Sequence, residues 1–408
     1  MIEIRVPGAL ARWLLGDRGV ALALTVGALA VYLGLIIGHS TPFDYFGRVA
    51  VAMLQGHLWL DGAPLSEIAL GRGGHFYNEQ PPGPVLLLVP LVLFKATAQT
   101  EVFLSAVLGA LVAAPQYLAL RALTVPRSVA VWCTVFALFG TTLLFTATDG
   151  RSWFLANAGA CFFGCVALWL AATERSPIAI GLALGFGALC NTTVGLAAPG
   201  LLLLPRRDQS SWRALARNAL LLSLGVLPFA LIQILYDLVR WGDPFSIYGP
   251  QLRDLTIGTM PRGRWSLTYL PRHITAMFFV GPAFADNQLL FLRPRGVGMA
   301  ILMGSPAFVW LARSLPALPH DPRWRALAIA AVGVLLPTLL VPVVGAEQYG
   351  YRYSLLYQPY LIALLAVGVG WSSTGWRAES GLFRSAVWLS IGLTTYFLVV
   401  IKLFGFAP

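Results

Sequence analysis

Long apolar segments separated by short polar ones fill almost the whole sequence. Apolar runs of about 18 to 24 residues recur from Gly19 to Phe404, and a helix of about 20 residues crosses the roughly 30 Å hydrocarbon core of a bilayer. The pattern predicts an all-α, polytopic integral membrane protein with about eleven transmembrane helices in one domain, residues 1–408. The predicted spans are residues 19–38, 101–120, 129–147, 153–172, 178–190, 193–204, 216–238, 297–312, 326–344, 355–371 and 385–403.

The composition agrees with a chain whose main solvent is lipid. Hydrophobic residues make up 58% and charged residues 11% of the sequence, and the mean hydropathy is +0.74, whereas soluble domains carry about a quarter charged residues. An ordinary soluble domain is therefore excluded. A net charge of +11 would suggest nucleic acid in a soluble protein, but most arginines lie between the spans, where the positive-inside bias places them. We expect membrane lipids, and no nucleic acid, among the partners.

The arginine distribution also predicts the orientation in the cytoplasmic membrane. With the N-terminus inside, the short cytoplasmic loops collect most of the loop arginines. These are Arg121, Arg127, Arg175, Arg206, Arg207, Arg213, Arg217, Arg313, Arg323, Arg325, Arg377 and Arg384. The first apolar run is too long for a signal peptide and has no cleavage site, so we expect it to be retained as the first span. An odd number of spans then places the C-terminus outside.

Two long segments, residues 39–100 and 239–296, lie outside the membrane in this topology. They hold most of the acidic, histidine and tyrosine residues that could perform chemistry. Residues 82–96, within the first segment, are apolar but contain several prolines. A run of about 15 residues is short for a span and typical of an interfacial or re-entrant helix, so we assign it to the outer segment.

Polar groups and cysteines inside the apolar segments give little sign of metal chemistry. Spans 178–190 and 193–204 form a hairpin broken at Asn191, and such a break is tolerated only beside protein or a wet cavity. All four cysteines lie in apolar segments, where a thiol packs like a small hydrophobe. No metal-site spacing with histidine accompanies them, and the outer loops contain no Asp-x-Asp pair. We predict no metal and no cofactor.

Asp44 is the first candidate for chemistry in the outer segment 39–100. It stands in the first turn of an interfacial helix predicted over residues 44–55, between a Thr-Pro start signal and Gly56. A carboxylate at this place can simply complement the helix dipole. It can also act as a general base at the mouth of a cavity and remove the proton of an acceptor hydroxyl. The residues alone leave both interpretations open.

A glycine- and proline-rich strip, residues 71–84, follows in the same outer segment. It carries His75, Tyr77, Glu79 and Gln80 just before an apolar stretch. Glycine permits the close approach of a ligand and proline fixes the path of the chain, so the strip suits a ligand lining. The alternative is an ordinary turn that precedes the apolar helix.

Together the two motifs resemble a known superfamily. The form Asp44-Tyr-Phe-x-x-Val-Ala-x-x-Met-Leu-x-Gly, followed by Tyr-x-Glu-x-Pro-Pro at residues 77–82, is similar to the dolichyl-phosphate-mannose protein mannosyltransferases and the related bacterial aminoarabinose transferases of the GT-C class. The resemblance implies a GT-C-like fold and a lipid-linked sugar donor. It also implies that Asp44 is the base and that Tyr77, Glu79 and Gln80 lie beside the donor phosphate.

Other outer residues stand where members of this class often carry functional groups. Asp149, in a turn between two spans, matches a second acidic position, or else it forms a plain surface pair with Arg151. Asn191 matches a polar position that faces the donor. Arg352, preceded by Tyr351, stands at the head of a late span, where it either snorkels to the interface or clamps the donor phosphate.

The second long outer segment is rich in arginine among tyrosine and tryptophan. Arginine presents a planar fork of donors that matches phosphate oxygens, and we select Arg262 and Arg264 as candidate phosphate ligands. Other arginines of this segment are surface charges attracted to anionic lipid headgroups.

The sequence therefore predicts an inverting, metal-independent hexosyl- or pentosyltransferase of the membrane. It would move a sugar from a polyprenyl-phosphate donor to a glycan, lipid or protein acceptor outside the membrane. A transporter or flippase for lipids or lipid-linked sugars would share the helices and arginines, but transporters usually show repeats with polar breaks near the midplane. A non-catalytic subunit of a membrane complex is the other alternative. The gathering of polar residues at one face favours the enzyme.

The predicted topology is testable with reporter fusions. A reporter placed after Arg18 or Arg207 should give a cytoplasmic signal, and one placed after Pro408 should give an extracytoplasmic signal, because eleven spans separate the two termini. A cytoplasmic signal at Pro408 would require an even number of spans and would reopen the assignment of residues 82–96.

Overall fold

The protein is a bundle of helices that run back and forth through one apolar layer. The computed structural model describes residues 16–61, 68–209, 211–246, 265–284 and 292–407. Five helices in this part are long and apolar enough to cross a membrane, and a sixth span results if Arg127–Phe139 and Thr142–Asp149, bent by 46°, count as one. The predicted all-α, polytopic membrane fold is confirmed.

Fifteen α-helices lie within the described ranges. The first eight are α1 (Asp17–Leu35), α2 (Tyr45–Leu54), α3 (Gly83–Leu88), α4 (Thr97–Ala122), α5 (Arg127–Phe139), α6 (Thr142–Asp149), α7 (Ser152–Ala172) and α8 (Pro177–Cys190). The others are α9 (Ala198–Leu202), α10 (Trp212–Trp241), α11 (Leu270–Phe278), α12 (Ile301–Gly304), α13 (Pro322–Thr338), α14 (Ser354–Gly370) and α15 (Gly381–Phe404).

Short 3-10 helices and hairpins make up the rest of the regular structure. The 3-10 helices are Arg72–Gly74, Thr192–Ala197, Leu267–Tyr269 and Pro306–Ala317. The antiparallel strand pairs are β1 (Ile68–Leu70) with β2 (Phe76–Asn78), β3 (Ala283–Phe284) with β4 (Leu292–Arg293), and β5 (Trp371–Ser372) with β6 (Gly375–Trp376). In the first hairpin Ala69 faces Tyr77, so the part of the predicted strip at Phe76–Asn78 is a strand.

Side-chain caps and glycines fix the ends of several helices. Ser211, Asp321 and Ser380 accept hydrogen bonds from backbone amides at the starts of α10, α13 and α15. Gly150 and Gly242 follow α6 and α10 in the left-handed conformation, with φ of 72° and 74°. This conformation is accessible to glycine at little cost, so both helices stop at these residues.

Helices α4 and α7 form the centre of the bundle. In an apolar 18-residue stretch of each of these helices, 72% of the residues are buried. The corresponding share is 22% in α1 and in α10. Helix α7 packs against α4, α8 and α14. The peripheral helices α1 and α10 are those whose apolar faces are left for lipid, since nothing else in the described part covers them.

The eleven predicted spans all overlap helices, but three of them are not continuous α-helices. Residues 129–147 bend between α5 and α6, and residues 193–204 form the 3-10 helix Thr192–Ala197 followed by the short α9. Residues 297–312 were expected to form one α-helix, but the structure has the single turn α12 followed by the 3-10 helix Pro306–Ala317. Pro306 and Pro316 lack the amide hydrogens that a continuous α-helix requires. Within 82–96 only Gly83–Leu88 is helical, too short to span. How many segments cross the membrane remains a prediction.

Most connections of interest meet at one end of the bundle, which we name the loop end. It is the end at which α1, α6, α10 and α15 finish and at which α4, α7 and α14 begin. There the ring of His39 contacts the backbone oxygen of Asp149 at 3.1 Å. Arg121 pairs with Asp17 at 3.0 Å at the opposite end, where the predicted cytoplasmic arginines gather.

Helices α8 and α10 approach each other through glycines. A Cβ atom on Gly181 would lie 2.1 Å from the backbone oxygen of Leu222, and one on Gly225 would lie 2.3 Å from the backbone oxygen of Ile178. Both distances are far below van der Waals contact, so small residues at these positions set the spacing of the two helices.

Replacing Gly225 with alanine should therefore destabilise the bundle. We expect Gly225→Ala to lower the free energy of unfolding by about 1–3 kcal/mol, the usual cost of overpacking, measured by thermal unfolding in detergent. Gly392→Ala in α15 is the matched control, since nothing lies within 4 Å of its added methyl group. Equal stability of the two variants would contradict the close packing of α8 and α10.

Candidate active site

The start of α2 is held by side chains from two other helices. The Glu101 carboxylate of α4 accepts hydrogen bonds from the backbone N–H of Gly47 at 2.6 Å and from the Ser152 hydroxyl at 2.9 Å. Ser152 also accepts from the backbone N–H of Tyr45 at 2.9 Å, and its own N–H donates to the Phe43 oxygen at 3.0 Å. These bonds join α2, α4 and α7 at the loop end.

Asp44 precedes α2 but does not cap it. Its side chain makes no hydrogen bond to the amides of the helix, which Glu101 and Ser152 satisfy instead. The Asp44 carboxylate, 3% exposed, pairs with Arg48 Nε at 2.7 Å and accepts a hydrogen bond from the Thr97 hydroxyl. The Asp44 side chain therefore forms no N-cap hydrogen bond, and its carboxylate faces a side-chain cluster.

A groove opens directly beside this ion pair. It has a volume of about 290 Å³ and is lined by Tyr45, Arg48, Gln55, Trp59, Asp61 and Thr97 among others. The Trp59 ring stacks on the rings of His57 at 4.3 Å and of His75 at 4.4 Å between centroids. His75, which the sequence predicts to contact the ligand, is exposed and therefore lies at the rim of the groove.

Asp149 and Arg151 form an ion pair in the turn between α6 and α7. Arg151 Nε lies 3.1 Å from the Asp149 carboxylate, and the same guanidinium pairs with Glu347. The guanidinium also lies 5.4 Å from the ring centroid of Phe43, next to Asp44. The predicted turn is confirmed, and it places Asp149 and Asp44 on neighbouring segments of the loop end.

Arg352 lies near aromatic rings at the start of α7. Its guanidinium carbon is 6.0 Å from the ring centroid of Trp153, 5.6 Å from that of Phe154 and 5.2 Å from that of Tyr353. The residue is 7% exposed. Within the described ranges it makes no ion pair, and its buried Nε has no hydrogen-bond acceptor. A buried arginine without a carboxylate is costly unless another anion occupies the site.

Tyr351 contacts a buried histidine of α11. The Tyr351 hydroxyl lies 2.7 Å from Nδ1 of His273, and Nε2 lies 2.8 Å from the backbone oxygen of Val341. Burial lowers the pKa of His273 and raises the pKa of Tyr351, so both are neutral at neutral pH. Since a backbone oxygen only accepts, the hydrogen of His273 is on Nε2, and Nδ1 accepts from Tyr351.

The strip with Tyr77, Glu79 and Gln80 is hydrogen-bonded to the end of α10. Fully buried Arg240 pairs with Asp237 at 2.5 Å and donates to the backbone oxygens of Asn78 and, at 3.3 Å, of Gln80. The Tyr77 ring lies 5.7 Å from that of Trp241, and Glu79 is 1% exposed. Arg240 thus connects the first outer segment to the start of the second.

Asn191 occupies the predicted break between α8 and the 3-10 helix Thr192–Ala197. Its side-chain oxygen accepts from Thr193 at 2.9 Å, and its nitrogen donates to the Asn157 side chain at 3.4 Å. A Cβ atom on Gly83 would lie 2.6 Å from the Leu189 oxygen, so the end of the strip packs beside this break.

The structure thus brings the predicted residues into two neighbouring groups around the start of α7. In the first group Arg352 and Arg151 lie near the rings of Trp153 and Phe154. Asp149 pairs with Arg151, Tyr351 precedes Arg352 in the chain, and Asp44 follows Phe43, whose ring lies 5.2 Å from that of Trp153. The second group contains Tyr77, Glu79, Gln80 and Asn191. Arg262 and Arg264 lie outside the described residues. No group of three or more histidine, cysteine or acidic side chains in the described ranges could hold a metal ion.

Three residues of this region were not expected from the sequence. In the sequence Glu101 and Trp153 begin predicted spans and Asp237 lies near the end of one. Their contacts join segments distant in the chain, as between Glu101 and Ser152. Charges in otherwise apolar spans are a general sign of function or pairing, and that was the available indication for Glu101 and Asp237.

Comparison with known proteins supports the fold. The chain is similar to the crystal structure of ArnT from Cupriavidus metallidurans bound to undecaprenyl phosphate, with a TM-score of 0.52 and 15% sequence identity over 94% of this chain and 71% of that chain. At this identity the likeness concerns the fold alone. No protein-family model and no curated protein matches the sequence.

Removing the Glu101 carboxylate should loosen the loop end. Glu101→Leu leaves the buried Gly47 amide without its acceptor, whereas the Ser152 hydroxyl can still donate to the Phe43 oxygen at 2.7 Å. A buried unsatisfied group costs about 1–3 kcal/mol, so we expect the free energy of unfolding to fall by about that amount, measured by thermal unfolding in detergent, and Glu101→Gln, which keeps one acceptor oxygen, to lose less. A leucine variant as stable as the parent would contradict this role.

Proposed function

We propose that the protein is a membrane glycosyltransferase that takes a sugar from a polyprenyl-phosphate donor and transfers it, with inversion and without a metal, at the extracytoplasmic face. The fold of ArnT, which was crystallised with undecaprenyl phosphate, supports the donor class. The observation that carries the proposal is the buried guanidinium of Arg352 at the loop end, which pairs with no carboxylate of the described residues. Its partner in the proposed complex is the donor phosphate.

The environment of Arg352 differs from that of the other buried arginines at this end. Arg240 is neutralised by Asp237, and Arg151 by Asp149 and Glu347. Arg352 makes no such pair within the described part of the chain, although the neighbouring rings of Phe154 and Tyr353 help to shield its guanidinium from water. A phosphate would supply both the missing charge and a bidentate acceptor for the guanidinium fork. The negative charge that develops on the leaving phosphate would be stabilised there.

Asp44 is the proposed general base. Its carboxylate has about four acceptor positions, of which Arg48 and Thr97 occupy two. A molecule that receives the sugar, bound in the adjacent groove, would place its hydroxyl group at one of the remaining positions of the carboxylate. As the hydroxyl oxygen attacks the anomeric carbon, its proton passes to Asp44, and the bond to the phosphate oxygen breaks with both electrons leaving on the phosphate. Attack opposite the leaving group inverts the configuration.

The remaining candidates have supporting roles in this proposal. Tyr351, held by His273, orders the segment that carries Arg352. Tyr77, Gln80 and Asn191 would contact the sugar or phosphate from the second group of residues. Glu79 and Asp149 are the alternative bases if Asp44 does not serve. The acceptor, which is a glycan, a lipid or a protein, would reach the site through the groove beside Arg48.

Substitution of Arg352 tests the phosphate site. Arg352→Lys keeps the charge but loses the planar fork, so undecaprenyl phosphate should bind about tenfold more weakly, and Arg352→Gln should bind weaker still. Binding can be measured by native mass spectrometry or by lipid-dependent thermal shift. Arg313→Lys is the matched control, since Arg313 also lies near a tryptophan ring but at the opposite end. Unchanged binding by both Arg352 variants would contradict the site.

Substitution of Asp44 tests the enzyme itself. Asp44→Asn keeps the shape and a hydrogen bond from Thr97 but removes the proton acceptor, so sugar transfer should fall by about 10²- to 10⁴-fold. Donor binding and folded yield should change little. Asp208→Asn, at an exposed ion pair of the opposite end, is the control. Transfer by Asp44→Asn within about tenfold of the parent would assign the base to Asp149 or Glu79.

A further inference from the structure

Buried nitrogen donors without acceptors gather along one face of α7. Within the described residues, Nε1 of Trp153, Nδ2 of Asn157 and Nε of Arg352 are buried and have no hydrogen-bond partner. Buried donors are nearly always satisfied in folded proteins, because leaving one unpaired costs free energy. Two of them lie near the start of α7 and the third, Arg352, lies just before α14, and their proximity points to acceptors supplied from outside the chain.

The three groups are neighbours. Trp153 and Asn157 are separated by four residues of α7, so their side chains lie on one face with Cβ atoms about 5–6 Å apart. The Arg352 guanidinium carbon is 6.0 Å from the Trp153 ring centroid. The row therefore runs from Arg352 at the loop end, across Trp153, to Asn157 one turn deeper in the bundle.

The orientation of the Asn157 amide is fixed by its neighbours. The backbone N–H of Thr193 donates to the Asn191 oxygen at 3.4 Å, which identifies the other end of the Asn191 amide as its nitrogen. That nitrogen donates to the Asn157 oxygen at 3.4 Å. Asn157 therefore presents its NH₂ group, and not its oxygen, to the unoccupied side.

All three groups are donors, and this selects the chemistry of the partner. An indole N–H and a guanidinium have no acceptor function, and the Asn157 oxygen is already used. A group that satisfies the row must therefore offer several acceptor oxygens, and Arg352 requires that it be negatively charged. A phosphate monoester or diester meets both conditions.

We propose that Trp153 and Asn157 are ligands of the donor's phosphate, in a row with Arg352. This assignment rests on the proposed function for the identity of the phosphate as that of a polyprenyl lipid. The Trp153 indole N–H and the Arg352 fork bind phosphate oxygens at the loop end, and the Asn157 NH₂ group binds an oxygen on the deeper side. The row holds the phosphate against α7, between the proposed base and the break at Asn191.

Removal of single N–H groups tests the row. Trp153→Phe keeps an aromatic ring against Arg352 but removes the N–H, and Asn157→Asp keeps the oxygen for Asn191 but replaces the NH₂ group with an acceptor. Each should weaken binding of undecaprenyl phosphate to the full-length protein about tenfold or more. Binding of undecaprenol, which lacks the phosphate, should stay as in the parent for both variants, and the midpoint of thermal unfolding should stay so for Trp153→Phe.

A second tryptophan provides the matched control. Trp324 is fully buried and its indole nitrogen also lacks an acceptor, but it lies at the start of α13 at the opposite end. Trp324→Phe should therefore bind undecaprenyl phosphate as the parent does. An equal loss in Trp324→Phe and Trp153→Phe would show a general effect of the substitution and contradict the row.

The remaining outcomes separate the row from the proposed function. If Trp153→Phe and Asn157→Asp bind undecaprenyl phosphate like the parent while Arg352→Gln does not, the row is wrong and the phosphate site stands. If Arg352→Gln also binds like the parent, the proposed phosphate site itself is wrong. If inorganic phosphate binds the parent as tightly as the lipid and Trp153→Phe weakens both, the row serves free phosphate, against the lipid assignment.

Discussion

The buried carboxylate of Glu101 is the interaction on which the arrangement of the loop end depends. It accepts hydrogen bonds from the start of α2 and from Ser152 at the start of α7, and it projects from α4. A carboxylate in an apolar bundle is stable only when it is fully hydrogen-bonded, so the three helices must meet at this point. Asp44 and Trp153, each one residue from these bonds, are positioned by them.

The distribution of charge around this point separates structural arginines from the proposed ligand. Arg240 and Arg151 are paired with acidic residues and join segments of the fold. Arg352 has the aromatic surroundings of a buried cation but no carboxylate within the described residues, next to the unpaired donors Trp153 and Asn157. We propose that an anion binds where positive charge and unused donors lie together, and a phosphate at this place would complete the packing of the loop end.

The sequence predicts most of the fold because the controlling features are local. Apolar run length predicts the helices, and the interfacial helix expected over 44–55 is observed at Tyr45–Leu54. The turn after Asp149 and the break at Asn191 are confirmed because glycine and short polar residues act within a few positions. The continuous α-helix expected over 297–312 is not observed, because Pro306 interrupts the segment and a 3-10 helix follows it.

The contacts of the candidate site could be predicted only in part. A motif can select Asp44 and Arg352, but it does not say that Glu101 caps α2 or that Trp153 lies between two guanidinium groups. Those facts depend on which helices meet, and they join residues far apart in the chain. Sequence patterns carry no such information without the packed structure, because the same residue at a span boundary is usually a simple surface charge.

The most direct measurement is an experimental structure of the protein with undecaprenyl phosphate in a lipid nanodisc. The central claim is that the lipid phosphate binds at Arg352, beside Trp153 on α7. The account predicts phosphate oxygens about 2.7–2.9 Å from the guanidinium nitrogens of Arg352, the usual distance of charge-assisted hydrogen bonds. A phosphate bound elsewhere, with the Arg352 guanidinium unoccupied, would contradict it.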